Sequence, residues 1–123
     1  MSWILDSDRP IYMQIVEIVQ RQIVSGTYKP GDKLPSVREM AAKAGVNPNT
    51  MQKAYALLEQ SGLIETQRTS GRSVTEDEKR IQEIRDKLAV QETEGFVDRM
   101  KELGYSTEGM IRLIKEVKVE GEV

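Results

Sequence analysis

The sequence predicts a mainly α fold with one small β-hairpin: a winged helix-turn-helix followed by a short C-terminal helical unit. Three observations predict it. Two short helix patterns are joined by a three-residue turn containing Gly45, a strand–turn–strand pattern follows directly, and helical periodicity then returns from Glu76 almost to the end. At 123 residues the chain has room for one small domain and an appendage, and the boundary is expected between domain 1–75 and domain 76–123.

The first helix pattern is the stripe Ile11, Ile15, Ile18, Val19 and Ile23, with Pro10 at its entry and Gly26 as its stop. The stretch "YKPGDKLP" reads as a loop around a Pro-Gly turn. Ser36 and Glu39 have the spacing of a capping box, in which each side chain takes the other residue's backbone N–H. The helix they open should bury Val37, Met40, Ala41 and Ala44, and Gly45 can supply the left-handed residue that ends it. Asn47 is then placed to cap the next helix and Pro48 to be its first residue; this helix should run over 48–61, with Gly62 beyond it. Ile64, Thr66 and Val74 suggest two short strands, 64–74, around the turn Thr69-Ser70-Gly71. In the second half Ile81, Ile84 and Leu88 make one stripe and Phe96, Met100 and Leu103 another, with Gly95 a point of bending or breakage between them. Gly104 stops that helix, and Ser106 starts a last one carrying Met110, Ile111, Ile114 and Val117.

Composition narrows the chemistry. Cys and His are both absent, which removes disulfides, thiol chemistry, the commonest general base and the commonest transition-metal ligand. The acids are spread along helix surfaces without metal-loop spacing, "GDKLPS" lacks the spacing of a phosphate-binding loop, and "TSGRS" lacks that of a nucleophile elbow. An enzyme, a metal site and a cofactor are therefore not expected. No segment has the ~18 apolar residues that span a bilayer, and "MSWILDSDRP" has no signal-peptide pattern, so a cytoplasmic protein without membrane contact is expected. The net charge of −2 is uneven: residues 1–75 hold nine Lys/Arg against seven Asp/Glu, residues 76–123 nine against thirteen. That argues against nonspecific nucleic-acid binding by the whole chain and leaves local binding by its first half open.

The candidate surface is the outer face of the second short helix. At about 100° per residue, Ala54, Tyr55 and Leu58 fall within roughly 60° of Met51 and form the packed side. Asn49, Gln52, Lys53, Ala56 and Gln60 fall opposite, with Thr50 at the edge. Asn and Gln both donate and accept and so can read base edges, whereas Lys suits phosphate or guanine acceptors. Such a polar face is more commonly just solvated, and so is each lone base. Here, however, Arg38 lies in the first turn of the preceding helix, and Arg68 and Arg72 flank the wing turn, so cations converge beside the polar readers.

These residues resemble a known family. The segments P-I-Y-x-Q-I, G-x-x-x-P-G-D-K-L-P-S-V-R-E-M-A, G-V-N-P-N-T-M-Q-K-A-Y-x-x-L-E and G-L-I-E-T, over roughly 9–74, are similar to the winged-helix domain of GntR-type bacterial transcription regulators. The short remainder with "FVDRMKELGYSTEGMIRLIKEV" looks like the small YtrA-like branch, which carries a two-helix dimerisation unit and no large ligand-binding domain. The resemblance implies a DNA-binding regulator, of the repressor type, working on a double-stranded DNA operator. It implies contacts from Arg38, and from Asn47, Asn49, Thr50 and Gln52 at the recognition-helix positions; Lys53 joins them on the same face. Pro48 stands where many members have a base-reading arginine. In the wing, Arg68, Ser70, Gly71 and Arg72 are the expected contacts, but only Gly71 is retained from the family's glycine-rich hairpin.

One recognition helix reads few base pairs, so a homodimer on a near-palindromic operator is expected. Ile81, Ile84, Leu88, Phe96, Met100, Leu103, Met110, Ile111, Ile114 and Val117 are more apolar residues than an isolated two-helix appendage buries, and they are the candidate dimer interface. The alternative is that they pack on the first helix of their own chain. A different class of function, a winged helix that binds protein, is distinguished by the salt dependence that DNA binding would show. No residue marks a site for a small effector.

Overall fold

The computed structural model describes residues 3–69 and 71–117. The order of elements is α1 (Ile11–Val24), α2 (Val37–Ala44), α3 (Pro48–Gln60), β1 (Ile64–Gln67), β2 (Gly71–Val74), α4 (Glu78–Glu102) and α5 (Thr107–Glu116). The chain divides into two compact units, one through Arg85 and one from Asp86.

In the first unit, local chemistry sets the helix ends. The Glu39 N–H donates to Ser36 Oγ at 3.1 Å and the Ser36 N–H donates to Glu39 Oε1 at 3.0 Å, which completes the capping box of α2. The backbone hydrogen bond from Ser36 holds the Glu39 carboxyl below its ordinary pKa. Gly45 closes α2 at φ +74°, a left-handed conformation that a Cβ disfavours. Asn47 Oδ1 accepts from the Asn49 N–H at 2.8 Å, and Pro48 is the first residue of α3. The turn that sets the angle between α2 and α3 is therefore determined at both ends.

The core lies where α1, α2 and α3 meet the base of the hairpin. Ile15, Val19, Ile23, Leu34, Met40, Ala41, Ala44, Met51, Ala54, Tyr55, Leu58, Leu63, Ile64 and Val74 are all buried. Ile11, Ile18 and Val37, expected on inner faces, are only half-buried. Tyr55 is wholly enclosed and its hydroxyl donates to the Pro35 carbonyl at 2.8 Å, tying α3 to the loop before α2. Burial pushes the Tyr55 phenol far above its usual pKa.

The hairpin is antiparallel with Ile64 opposite Val74 and Gln67 opposite Gly71. The loop "YKPGDKLP" does more than connect. The Leu34 N–H donates to the Arg72 carbonyl at 2.9 Å, the Val74 N–H to the Asp32 carbonyl at 2.8 Å, and Lys33 bridges to Ser73. The loop thus covers the free edge of β2, whose backbone groups would otherwise lack partners. A loop with Pro and Gly in it carries no strand pattern, so this third pairing was not visible in the sequence.

A buried glutamine is the other feature the helical stripe hid. Gln14 on α1 accepts from the Asp6 N–H at 2.7 Å and donates to the carbonyls of Asp6 at 2.7 Å and Arg9 at 3.0 Å. The N-terminal arm is thereby strapped to α1, and farther out the Trp3 N–H donates to the Ala44 carbonyl at the end of α2. The start of α4 belongs to the same unit. Arg80 Nε donates to the Ser61 carbonyl at 2.7 Å, and Arg85 Nε and Nη2 donate to the Val24 carbonyl at 3.0 and 2.7 Å. Two arginines thus cap the carboxyl ends of α3 and α1, where unpaired carbonyls and the negative end of the helix dipole favour a cation. Ile81 and Ile84 are buried beside them, which is why the first unit extends to Arg85.

In the second unit α4 continues unbroken through Gly95. The Gly109 N–H donates to Ser106 Oγ at the start of α5, and α5 folds back so that Ile114 shares a groove with Phe96 and Arg99.

Candidate nucleic-acid interface

α3 presents the face that its period dictates. Met51, Ala54, Tyr55 and Leu58 are buried, while Asn49, Gln52, Lys53, Ala56 and Gln60 are exposed and Thr50 is half-buried. Three environments lie along this face.

On one flank, α2, α3 and the hairpin enclose an open groove of about 510 Å³. Arg38 and Gln52 line it with Lys33, Thr69, Gly71 and Arg72, so residues from the three expected segments come together there. Its one carboxylate, Glu39, is engaged in the capping box. Arg38 is exposed, and its guanidinium adds charge to the groove without a carboxylate partner among the described residues.

Arg72 behaves differently from an arginine waiting for phosphate. Its Nε donates to Glu59 Oε1 at 2.5 Å, and its guanidinium carbon lies 5.3 Å from the centre of the Tyr55 ring. The side chains of Arg72 and Glu59 are 22% and 31% exposed. The hydrogen bond from Arg72 holds the Glu59 carboxyl below its ordinary value. Arg72 therefore clasps the wing to the last turn of α3, and Glu59 is its partner. Sequence reading did not single out Glu59, because the two lie thirteen positions apart and no helical or strand period connects them.

On the other flank, Thr50 and Asn47 line a shallow cleft with Trp3, Leu5, Ile11 and the turn Ala44–Val46. Asn47 uses its side-chain oxygen as the helix cap, leaving its amide nitrogen for any further contact. Asn49 and Lys53 are exposed as well, Lys53 on the α1 side of the helix. The Lys53 ammonium sits 3.8 Å from the centre of the Tyr12 ring, which reaches it from the first turn of α1. Tyr12 was not among the expected site residues; it lies in the apolar-rich first helix and carried no local signal. Arg68 is exposed at the wing and lines neither the groove nor the cleft. Ser70 lies outside the described residues.

The residues expected at a dimer interface divide into three groups. Ile81, Ile84 and Met110 are already buried in the single chain. Leu88, Phe96 and Met100 are half-buried. Leu103 is 72% exposed, Ile111 48%, Ile114 59% and Val117 60%, and Val90, which the sequence stripe had not included, is 58% exposed.

Comparison with known proteins follows the same lines. The family described as "Bacterial regulatory proteins, gntR family" matches residues 11–74. The chain is similar to the uncharacterised HTH-type transcriptional regulator YhcF of Bacillus subtilis, 46% identical over 109 residues, covering 89% of this chain and 90% of that protein. It is also similar to the HTH-type transcriptional repressor YtrA of the same organism, 49% identical over 73 residues, which are 59% of this chain and 56% of that one. Among solved structures, a GntR family transcriptional regulator from Listeria monocytogenes superposes with a TM-score of 0.85 at 46% identity, over 93% of this chain and all of that one. The AraR DNA-binding domain in complex with operator ORE1 matches with a TM-score of 0.52 at 28% identity, over 61% of this chain and 94% of that one.

Proposed function

Since the chain belongs to the GntR family and is a DNA-binding transcription regulator, we propose that it is a repressor that occupies a near-palindromic operator as a homodimer. The observation that carries this reading is the open groove where Arg38 and Gln52 meet the wing, beside the exposed polar face of α3. A helix of this kind enters the major groove with its first turns toward the bases. Asn49 and Gln52 then face base edges, Arg38 and Lys53 face phosphates, and the exposed wing tip with Arg68 reaches the flanking backbone. Arg72 acts mainly by holding the wing against α3.

The helices from residue 76 onward supply dimerisation, and the winged domain before them binds DNA. Support comes from the exposed Val90, Leu103, Ile111, Ile114 and Val117, apolar side chains that a second copy of the same unit would remove from water. The repressor role draws on the relative named as a repressor. Among the described residues no helix is long and apolar enough to cross a membrane, and a regulator of bacterial promoters works in the cytoplasm.

Selection of bound fragments from random duplex DNA tests the whole reading. It should enrich a near-palindrome whose half-sites lie about one helical turn or a multiple of it apart. Affinity for that duplex should fall steeply with salt. Failure to enrich any duplex at low salt would remove the proposed operator, and a single asymmetric half-site would remove the dimer from it.

A further inference from the structure

We propose that Tyr12 is a positioning residue for DNA binding, holding Lys53 of the recognition helix against α1 so that its charge meets a phosphate on the side of α3 away from the wing. The inference rests on the DNA-binding face proposed above. Lys53 stands on the outer face of α3, with its ammonium 3.8 Å from the centre of the Tyr12 ring. Among the described residues no carboxylate pairs with it. The distinction matters: a carboxylate would neutralise the charge and occupy its donors, whereas an aromatic face orients the ammonium and leaves the charge intact. The N–H donors turned away from the ring remain available for an anion.

The ring is itself a fixed platform. Tyr12 is half-buried in the first turn of α1. Two residues later, Gln14 pins that turn to the N-terminal arm through three hydrogen bonds. The neighbouring Ile11 lines the same cleft as Thr50 of α3. A long flexible lysine is thus given one direction before DNA arrives, which lowers the ordering cost of the contact. Arg38 lies in the groove on the opposite flank of α3. The pair of cations therefore brackets the recognition helix, one on the wing side and one on the α1 side. Lys53 in this position carries a sequence-independent phosphate contact.

The test is a mutant cycle read by fluorescence anisotropy on the duplex enriched by the wild-type protein, over about 50–200 mM salt. Lys53→Met should weaken binding and reduce the log–log salt slope by roughly 0.9 per protomer. Tyr12→Leu should weaken binding about two- to fivefold without lowering the slope, and Tyr12→Phe, which keeps the aromatic face, should stay within about twofold of wild type. In the Lys53→Met background, Tyr12→Leu should have no further effect. A general loss of folding from Tyr12→Leu would appear equally in both backgrounds, so the difference between its two effects isolates the contact with Lys53. Equal losses in Tyr12→Leu and Tyr12→Phe, or a full Tyr12→Leu effect in the Lys53→Met background, would overturn the proposal. If wild type binds no duplex at all, the DNA-binding face fails and the proposal with it; if wild type binds and the cycle is additive, only Tyr12's role is lost.

Discussion

Glu59→Gln isolates the clasp between the wing and α3. The substitution keeps the side-chain shape and one acceptor oxygen but removes the charge that Arg72 faces at 2.5 Å. Exposed ion pairs contribute ~0.2–1 kcal/mol, and hydrogen bonds to charged groups ~1.5–3 kcal/mol. With the two side chains 22% and 31% exposed, solvent screening favours the lower range, and a destabilisation of about 1 kcal/mol at pH 7 is expected. For a chain of this size that lowers Tm by about 4 °C. The pH dependence has a definite sign. Arg72 holds the Glu59 carboxyl below its ordinary value, so its contribution is fully present above the unfolded carboxylate pKa of ~4.3 and is lost as pH falls through the lower folded value. The gap between wild type and Glu59→Gln should therefore be constant from about pH 7 to 5 and close below about pH 4. Urea unfolding followed by far-UV circular dichroism, at one protein concentration and several pH values, measures it. A variant within ~0.3 kcal/mol of wild type at neutral pH would mean that the clasp contributes nothing. A gap undiminished at pH 3 would mean that the charge is not its source.

Three further outcomes follow from the geometry. Gly45→Ala should cost about 1–2 kcal/mol in a urea melt, because φ is +74° at the turn between α2 and α3; a change below ~0.5 kcal/mol would show that the turn relaxes. Arg38→Ala, at an exposed side chain, should leave the melt within ~0.5 kcal/mol of wild type yet weaken operator binding more than twofold, and unchanged affinity in a titration would take Arg38 out of the interface. Ile114→Glu places a charge at a side chain 59% exposed in the single chain and should convert a dimer into a particle of 14.0 kDa by light scattering. An unchanged mass for that variant would move the dimer contact away from α5.

Legibility followed the range of each interaction. The Ser36–Glu39 box, Gly45 and the Asn47-Pro48 start act over one to three residues, and the sequence spelled them out. The polar outer face of α3 was legible for the same reason, since a helical period assigns faces without knowledge of the partner. The third pairing on β2 was not, because Asp32, Lys33 and Leu34 join the sheet only after the hairpin offers them an edge. Nor was the fate of Ile81 and Ile84. Their stripe marked a buried face but not which surface would bury it, and Arg80 and Arg85 settled that by seeking the open ends of α3 and α1.

The sequence by itself thus determined where α2 and α3 begin and end, which residues of α3 face outward, and the family to which such a pattern belongs. Only the tertiary structure decided what the outward charges do. Arg38, Arg72 and Lys53 look alike in one dimension, yet one lines an open groove, one grips Glu59 and one rests on Tyr12. The physical reason is that a charge takes its role from the groups within a few ångströms of it, and here those groups arrive from other elements of the chain.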